Sequence, residues 1–329
     1  MKKVLHKIIP FLVSMLLLGT LFFVMRGSIP SIIATLKAAH RGYFILAAVI
    51  FMWTGLILGC RLNLLLNAQG INLGPKTSIA LVYIGYFFNN FLPTAIGGDI
   101  VKAYYASKTT HKKIEAVSAV IVDRFLGLIS YAALAMIATI ALGSQLDNPN
   151  IKWSVIVIGT VIAMLALFFA NPGFAKKLTF LSRILIFDYV RHKAAQIYYS
   201  INSYAGKKET ILKTMGLSVL LQLSAITAIY ILLLSIDAHI KFVLVLLFMP
   251  IIGIISMIPS VNGLGVREGA VVLLFGPIIG REKAFALSIL FLAILFIMGM
   301  MGGLVYIFLR NRFKLNISEI TDFEETSDV

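Results

Sequence analysis

Two short motifs of proline, glycine and charged residues interrupt apolar segments in opposite halves of the chain. The first is LPTAIGGD, from Leu92 to Asp99, and the second is IPSVNGLG, from Ile258 to Gly265. In each motif a proline is followed four residues later by a glycine, and charged side chains come shortly afterwards. Broken backbone at membrane depth is tolerated only inside protein or beside a polar cavity. A pair of such breaks in corresponding positions indicates the substrate site of a transporter.

The residues around both motifs favour an anionic ligand. Glycines precede Asp99 at the first break and Arg267 at the second, so each break is expected to lead into a new helix. Helix N-termini favour phosphate or carboxylate, glycine lets the ligand approach the backbone, and arginine can bind phosphate in a bidentate manner. Asp99 also stands where an N-cap belongs, so capping is an alternative role for it.

Ionisable side chains recur at membrane depth, where they are costly and usually functional. We expect them to converge on one polar pocket that binds an anionic or phosphate-bearing membrane lipid. Within the set, Arg61 and Arg267 are expected to contact the ligand, whereas Arg124 is expected to be structural. The candidate substrate-binding residues are Arg61, Asn90, Pro93, Gly97, Gly98, Asp99, Lys102, Asp123, Arg124, Pro259, Asn262, Gly263, Gly265, Arg267 and Glu268.

The alternative is that these charges only pair with one another and hold the bundle together. Asp99 with Arg124, and Glu268 with Arg61, are the pairs that this alternative suggests.

The amino-acid composition indicates that these residues lie in a membrane protein. Hydrophobic residues make up 60% of the 329, mean hydropathy is +0.96, and only 13% are charged. Several apolar runs reach the ~20 residues that cross a bilayer. The predicted spans are 8–25, 43–66, 115–142, 152–171, 212–235 and 284–309. Segments 78–92 and 242–258 end at the motifs, and 269–280 is too short to cross.

Charge distribution predicts the topology. Loop 172–214 is strongly basic and is therefore expected on the cytoplasmic side of the cell (inner) membrane, and both termini are expected on the same side. Six full crossings place both termini on one side only if the two broken segments do not cross. Segment 78–98 is therefore expected to enter from the cytoplasm and return, and segment 242–280 to enter from outside and return. The predicted fold is an all-α, polytopic membrane protein with about six full spans and two re-entrant broken elements in an inverted repeat. The alternative is that the two motifs resemble each other by chance.

The chain is expected to form one transmembrane domain over 1–314, followed by an acidic, disordered cytoplasmic tail over 315–329. Lys2, Lys3 and Lys7 precede the first apolar run, which is interpreted as an uncleaved helix rather than a signal peptide. Segment 176–211 is either an amphipathic helix on the inner leaflet or a packed helical loop.

Several other functions are poorly supported by the sequence. The net charge of +15 lies in loops and fits membrane orientation and anionic headgroups, so no nucleic-acid partner is expected. The single cysteine, Cys60, and five scattered histidines predict no disulfide, metal or other cofactor. Catalysis needs a nucleophile with a base, or a metal site, and neither pattern is present. An enzyme is therefore less expected than a transporter.

The combined motifs resemble the transmembrane domain family of the lysylphosphatidylglycerol synthase/flippase proteins over residues 5–310. The order and spacing match at Arg61, at Asn90-x-x-Pro93 through Gly97-Gly98-Asp99, at Asp123-Arg124-Phe125, and from Pro259 through Arg267-Glu268-Gly269. The combination is specific although each motif alone is weak. Where the family usually has arginine after the first GGD, this chain has Lys102, which lacks arginine's bidentate geometry.

The resemblance implies a role in moving a phospholipid, or a lipid-linked sugar or isoprenoid, between leaflets. Better-studied members add a soluble aminoacyl-tRNA-dependent transferase domain, which we do not expect here because the chain stops soon after its last span. The alternative that the resemblance leaves open is a membrane-embedded transferase. An accessory subunit that works with a separately encoded lipid-modifying enzyme is equally compatible.

Overall fold

The computed structural model describes residues 2–91, 97–143, 153, 155–157, 159–160, 162–164, 196–258 and 260–313. These residues are helical apart from short turns, and no strand occurs among them. The principal helices are α1 (Lys2–Met25), α2 (Ile29–Ala38), α3 (Arg41–Ala68), α4 (Pro75–Phe91), α5 (Gly97–Thr110), α6 (Lys113–Leu142), α7 (Lys208–Ser235), α8 (Phe242–Ile255), α9 (Val266–Ile279) and α10 (Arg281–Phe313).

Five helical stretches of the described residues are long and apolar enough to cross a membrane, which confirms an all-α polytopic fold. Four of them match the spans predicted near α3, α6, α7 and α10. The first runs from Phe11 to Ala38 and is longer than the predicted 8–25. A 3-10 turn at Arg26–Ser28 joins α1 to α2 instead of ending the helix, because Pro30 lies in the first turn of α2, where proline is tolerated.

Some predicted elements fall mostly or wholly outside the described residues. Most of span 152–171, most of segment 176–211 and the acidic tail 315–329 belong to this group.

Helices α3 and α7 lie side by side and antiparallel. At one end the backbone N–H of His40, just before α3, donates to Ser235 O at 2.8 Å. At the other end the Lys207 ammonium, just before α7, donates to Ala68 O. We call these two ends of the molecule the Ser235 face and the Ala68 face. Because one helix pair joins both faces, every other element can be placed relative to them.

The first break forms a hairpin that opens on the Ala68 face. Helix α5 folds back along α4, so that Gly98 lies against Gly85 rather than beyond the end of α4. The Lys112 ammonium, just after α5, donates to Gly70 O at 3.1 Å, just before α4. Both ends of the hairpin therefore lie on one face, as predicted for the first re-entrant element, although the hairpin runs over 75–110 rather than 78–98.

The second break forms a hairpin that opens on the opposite, Ser235 face. Phe248 of α8 packs edge-to-face on Phe275 of α9 with ring centroids 5.2 Å apart, and Ser256 lies against Gly263. These pairs show that α9 returns antiparallel along α8. The Lys283 ammonium at the start of α10 donates at 2.9 Å to the carbonyl of Asp237, which precedes α8. The two re-entrant elements thus enter from opposite faces.

The two halves repeat one architecture in inverted orientation. Helices α3, α4, α5 and α6 contain 28, 17, 14 and 30 residues, and α7, α8, α9 and α10 contain 28, 14, 14 and 33. Helix α4 packs along α10, and its counterpart α8 packs along α6, while α3 and α7 pack on each other. This exchange of partners is what a two-fold axis in the membrane plane produces, so the predicted inverted repeat is present.

Candidate functional site

A side-chain hydrogen bond inside the bundle joins the end of α4, just before the first break, to the turn of the second break. The Asn262 Nδ2 group, in the turn between α8 and α9, donates to Oδ1 of Asn90 at 2.6 Å. Asn90 Nδ2 in turn reaches Leu295 O of α10 at 3.5 Å. Asn262 has a φ of +49°, a left-handed conformation that asparagine tolerates better than most residues. The local turn therefore places this amide against the end of α4.

A cavity of about 200 Å³ lies beside this junction. Its walls come from α4, α6, α8 and α10 and from the second break. These four helices form the two equivalent pairs of the inverted repeat, α4 with α10 and α8 with α6, so both halves line the cavity. The cavity is consequently close to the axis that relates the two halves. It is lined by Tyr86, Asn89, Asn90, Tyr131, Met249, Ile252, Gly253, Ser256, Asn262, Arg267, Phe291 and Leu295.

Arg267 supplies the cationic wall of the cavity. Its side chain is only 7% exposed, and its guanidinium lies over the Phe291 ring with the carbon 5.3 Å from the centroid. Nε and Nη2 donate to Glu268 Oε1 at 3.2 and 2.8 Å, and Nη1 donates to Asn262 O at 3.3 Å. The other carboxylate oxygen of Glu268 accepts from Gly265 N at 2.6 Å. Glu268 therefore caps α9 and orients the arginine at the same time.

The first break carries a different charge cluster at the start of α5. The Asp99 carboxylate is paired with Lys102 at 2.5 Å and with Arg124 of α6. The Arg124 side chain is 36% exposed, whereas the Lys102 and Asp99 side chains are largely buried. The predicted pairing of Asp99 with Arg124 is confirmed.

Asn89, rather than Asp99, caps the first break. Helix α5 begins at Gly97, so Asp99 is its third residue and does not occupy the N-cap position. The Gly98 N–H instead donates to Asn89 Oδ1 at 2.7 Å. Since Asn89 also lines the cavity, it connects the start of α5 with the junction of the two breaks.

Arg61 is bonded within a separate polar centre formed by α3, α6 and α7. Its Nε donates to Asp123 Oδ1 at 2.7 Å, its Nη1 to Ser218 Oγ at 2.8 Å and its Nη2 to Asp123 O at 3.0 Å. The suggested pairing of Arg61 with Glu268 is wrong, because each of these residues has a closer partner on its own side of the bundle. The expected ligand role of Arg61 stays a prediction, and its three bonds offer a structural role instead.

The structure thus divides the predicted residues into three groups. Asn90, Asn262 and Arg267 line the cavity, with Gly263, Gly265 and Glu268 shaping the same turn. Gly97, Gly98, Asp99, Lys102 and Arg124 form the cluster at the start of α5, and Arg61 pairs with Asp123. Pro93 and Pro259 lie outside the described residues. Among the described residues, the charged side chains are divided between these groups, and the cavity lining contains only Arg267 of them.

Sequence reasoning missed the aromatic and hydroxyl members of the site. Tyr86, Tyr131 and Phe291 line the cavity, and Ser218 binds Arg61. Aromatic residues are frequent in all spans, so Tyr86 and Tyr131 carried no distinctive signal. Ser218 and Gln222 were recognisable, because they are polar residues four positions apart on one face of an apolar span. In the part of the chain that the structure describes, no group of three metal-ligating side chains occurs.

Comparisons with known proteins identify related membrane proteins. A UPF0104 membrane protein of Pyrococcus horikoshii is 28% identical over 316 residues, covering 86% of this chain and 92% of its own length. A UPF0104 membrane protein of Methanocaldococcus jannaschii is 26% identical over 263 residues, covering 74% and 77%. No solved structure matches the chain. The model of the lysylphosphatidylglycerol synthase transmembrane region matches residues 7–303, and the chain therefore belongs to that family.

Proposed function

We propose that this protein is a lipid transporter of the flippase type, which holds a phosphate-bearing lipid headgroup where its two breaks meet. The observation that carries the proposal is the hydrogen bond between Asn262 and Asn90, beside a cavity walled by the buried Arg267. Two re-entrant elements that enter from opposite faces and touch at their tips form the arrangement expected at a transporter's substrate site.

The cavity offers donors suited to phosphate oxygens. Nε, Nη1 and Nη2 of Arg267 each donate one hydrogen bond. Nη1 and Nη2 each carry a second N–H, which has no acceptor among the described residues. Asn89, Asn262, Tyr86 and Tyr131, whose side chains carry amide or hydroxyl groups, also line the cavity. Charge-assisted bonds from a guanidinium to phosphate oxygens would fix the headgroup, while the hydrocarbon tails remain in the surrounding lipid.

The inverted repeat provides a route for movement between leaflets. Helix α4 packs on α10 and α8 packs on α6, so the two halves present equivalent packing surfaces in opposite orientations. If the halves exchange these packings, the cavity opens alternately to the Ala68 face and to the Ser235 face. The junction of Asn90 and Asn262 would then separate and re-form during each cycle.

Orientation in the cell membrane follows from loop charge. The Ala68 face includes Lys112, Lys113, Lys207 and Lys208. In sequence, the segment 172–195 that precedes α7 is also rich in lysine and arginine. The positive-inside rule therefore favours a cytoplasmic Ala68 face.

The test is leaflet exchange in proteoliposomes. Purified protein would be reconstituted with fluorescent phospholipids and with a polyprenyl-phosphate lipid, and the outer-leaflet label would be destroyed by a membrane-impermeant reductant. The proposal expects faster loss of label than in protein-free vesicles for at least one phosphate-bearing lipid. The same rate with and without protein for every lipid would refute transport.

A further inference from the structure

A second cavity lies on the outer surface of the bundle, where α3 and α4 meet. Its volume is about 390 Å³, and it is an open groove rather than an enclosed pocket. The Val49 and Trp53 side chains on its wall are 56% and 58% exposed, and α3 crosses the membrane, so the groove faces lipid. We call it the α3 groove. It is lined by Val49, Ile50, Met52, Trp53, Leu56 and Tyr83.

The α3 groove suits hydrocarbon rather than a polar headgroup. The lining residues that come from α3 are apolar or aromatic and are spaced so that they share one face of the helix. Among the described residues that line the groove, only Tyr83 has a side-chain oxygen, and its hydroxyl donates to Met52 O at 2.7 Å. The groove is therefore a site for an apolar chain.

A layer of aromatic rings separates the α3 groove from the cavity of the proposed headgroup site. Tyr83 of the groove packs edge-to-face on Tyr86 of the cavity, with ring centroids 6.3 Å apart. Phe51 of α3 packs in the same manner on Phe291 of the cavity, with centroids 5.7 Å apart. The groove and the cavity thus adjoin at two ring pairs, so the head and the tail of one lipid molecule can reach both.

Trp53 lies at an unusual depth for a lipid-exposed tryptophan. It is near the middle of α3, which runs from Arg41 to Ala68, whereas tryptophan in membrane proteins is enriched at the interfaces. Its indole N–H has no hydrogen-bond acceptor among the described residues. The oxygen that joins a hydrocarbon chain to glycerol is an acceptor that a lipid would bring to this depth if its headgroup lay in the neighbouring cavity.

We infer that the α3 groove binds one hydrocarbon chain of a glycerophospholipid while the headgroup of the same lipid lies in the cavity. The inference rests on the proposed function and adds the site for the tail. The glycerol of such a lipid crosses the ring layer, so the two ring pairs part when the lipid enters sideways from the bilayer. Apolar side chains and lipid tails are equally apolar, so the chain is retained by close packing and by its covalent link to the bound headgroup.

Photocrosslinking from the lipid chain tests the inference. Phosphatidylglycerol, as a phosphate-bearing probe, and diacylglycerol with the same chains would each carry a diazirine in one chain and be incorporated with the protein into liposomes. Peptide mass spectrometry after irradiation locates the crosslinks. Phosphatidylglycerol is expected to label segment 49–56 more than diacylglycerol does, because only phosphatidylglycerol has a headgroup for the cavity. Equal labelling by the two lipids would show contact with the surrounding bilayer only and would overturn the inference.

A variant in the cavity tests the link between head and tail. Arg267→Gln removes charge-assisted hydrogen bonds to the headgroup and is expected to reduce phosphatidylglycerol labelling of segment 49–56 to the level of diacylglycerol. Native mass spectrometry of the detergent-solubilised variant measures the loss of phosphatidylglycerol binding in parallel. Labelling that stays at the level of the unsubstituted protein, while binding is lost, would also overturn the inference.

A variant in the groove tests whether the chain site is used during exchange. Val49→Trp fills the groove from its exposed wall and is expected to slow leaflet exchange of phosphatidylglycerol. Ile137→Trp is the matched control, because Ile137 in α6 is 57% exposed but does not line the groove, and it should leave the rate unchanged. An unchanged exchange rate in folded Val49→Trp would contradict the inference.

Failure of this inference can be distinguished from failure of the proposed function. Exchange with equal labelling by both lipids leaves transport standing and removes the chain site. Preferential labelling by phosphatidylglycerol without exchange refutes transport and retains the chain site, because crosslinking does not depend on movement between leaflets.

Discussion

Asn262 and Asn90 lie 172 positions apart in the chain, yet their side-chain amides are hydrogen-bonded at 2.6 Å. Asn90 lies near the end of α4, in the first re-entrant element, and Asn262 lies in the turn of the second. Each element enters from its own face of the membrane, so this bond links structures anchored on opposite sides. The bond connects the inverted repeat with the proposed passage of a headgroup.

The backbone at Asn262 provides a first prediction. Its φ of +49° suits asparagine and glycine but strains alanine. Asn262→Ala is therefore expected to lower the free energy of unfolding by about 1 kcal/mol more than Asn262→Gly, although both remove the amide. Thermal unfolding in detergent measures the difference. Equal stability of the two variants would show that the turn is not held in this conformation.

Arg267 provides a second prediction about the ligand. Arg267→Gln is expected to weaken binding of phosphatidylglycerol about tenfold or more, since it removes charge-assisted hydrogen bonds. It also leaves Glu268 without its partner, so stability falls as well. The double variant Arg267→Gln with Glu268→Gln removes both charges and should recover stability without recovering binding. Recovery of binding in the double variant would show that Arg267 does not contact the lipid.

Arg61 provides a third prediction, with the opposite outcome. Arg61→Gln leaves Asp123 buried without its cation, which is expected to cost roughly 3–5 kcal/mol of stability. Arg41→Gln, an exposed arginine at the start of the same helix, serves as the control and should have little effect. Lipid binding per folded molecule should be unchanged in Arg61→Gln. Weaker binding without loss of stability would restore the ligand role expected from the sequence.

Close helix contacts provide a fourth prediction. A Cβ atom on Gly98 would collide with Gly85 O, so α5 could not pack on α4, whereas Gly216 in α7 has open space around it. Gly98→Ala is expected to destabilise the protein by about 1–3 kcal/mol or more through overpacking. Gly216→Ala should be neutral or stabilise by up to about 1 kcal/mol, because alanine favours helix. Similar unfolding temperatures for the two variants would contradict the packing of the first hairpin.

Topology provides a fifth prediction that single cysteines can test. In a Cys60→Ala background, Lys108→Cys and Ser203→Cys lie towards the Ala68 face, whereas Asp237→Cys lies at the Ser235 face. In intact cells an impermeant thiol reagent should label only Asp237→Cys. Labelling of Lys108→Cys and Asp237→Cys from the same side would disprove the re-entrant hairpin.

Most of the architecture could be predicted from composition, because long apolar runs, Pro/Gly breaks and basic loops follow directly from the energetics of the bilayer. The entry of the two hairpins from opposite sides followed from counting the full membrane crossings between the basic loops. The partners of individual charges could not be predicted, since they depend on how the helices are rotated in the bundle. Arg61 contacts Asp123 and Ser218 because α3, α6 and α7 turn those faces towards one another.

Side-chain direction also explains the missed cap. The sequence GGD suggested that Asp99 caps α5, but the cap comes from Asn89, which precedes the break. The fold-back of α5 onto α4 brings Asn89 to Gly98, and local spacing alone contains no information about that contact. The role of Asn89 was therefore beyond local sequence reasoning.

The most direct test of the central claim is to lock the two tips together. Asn90→Cys and Asn262→Cys would be combined in a Cys60→Ala background and joined by a short, reducible bis-methanethiosulfonate reagent. Leaflet exchange of phosphatidylglycerol is expected to fall to the protein-free rate when the tips are joined and to recover after reduction. Each single-cysteine variant should exchange lipid at the same rate before and after treatment with the reagent, whatever its rate relative to the unsubstituted protein. Exchange that continues at full rate in the joined protein would contradict passage of the headgroup between the breaks.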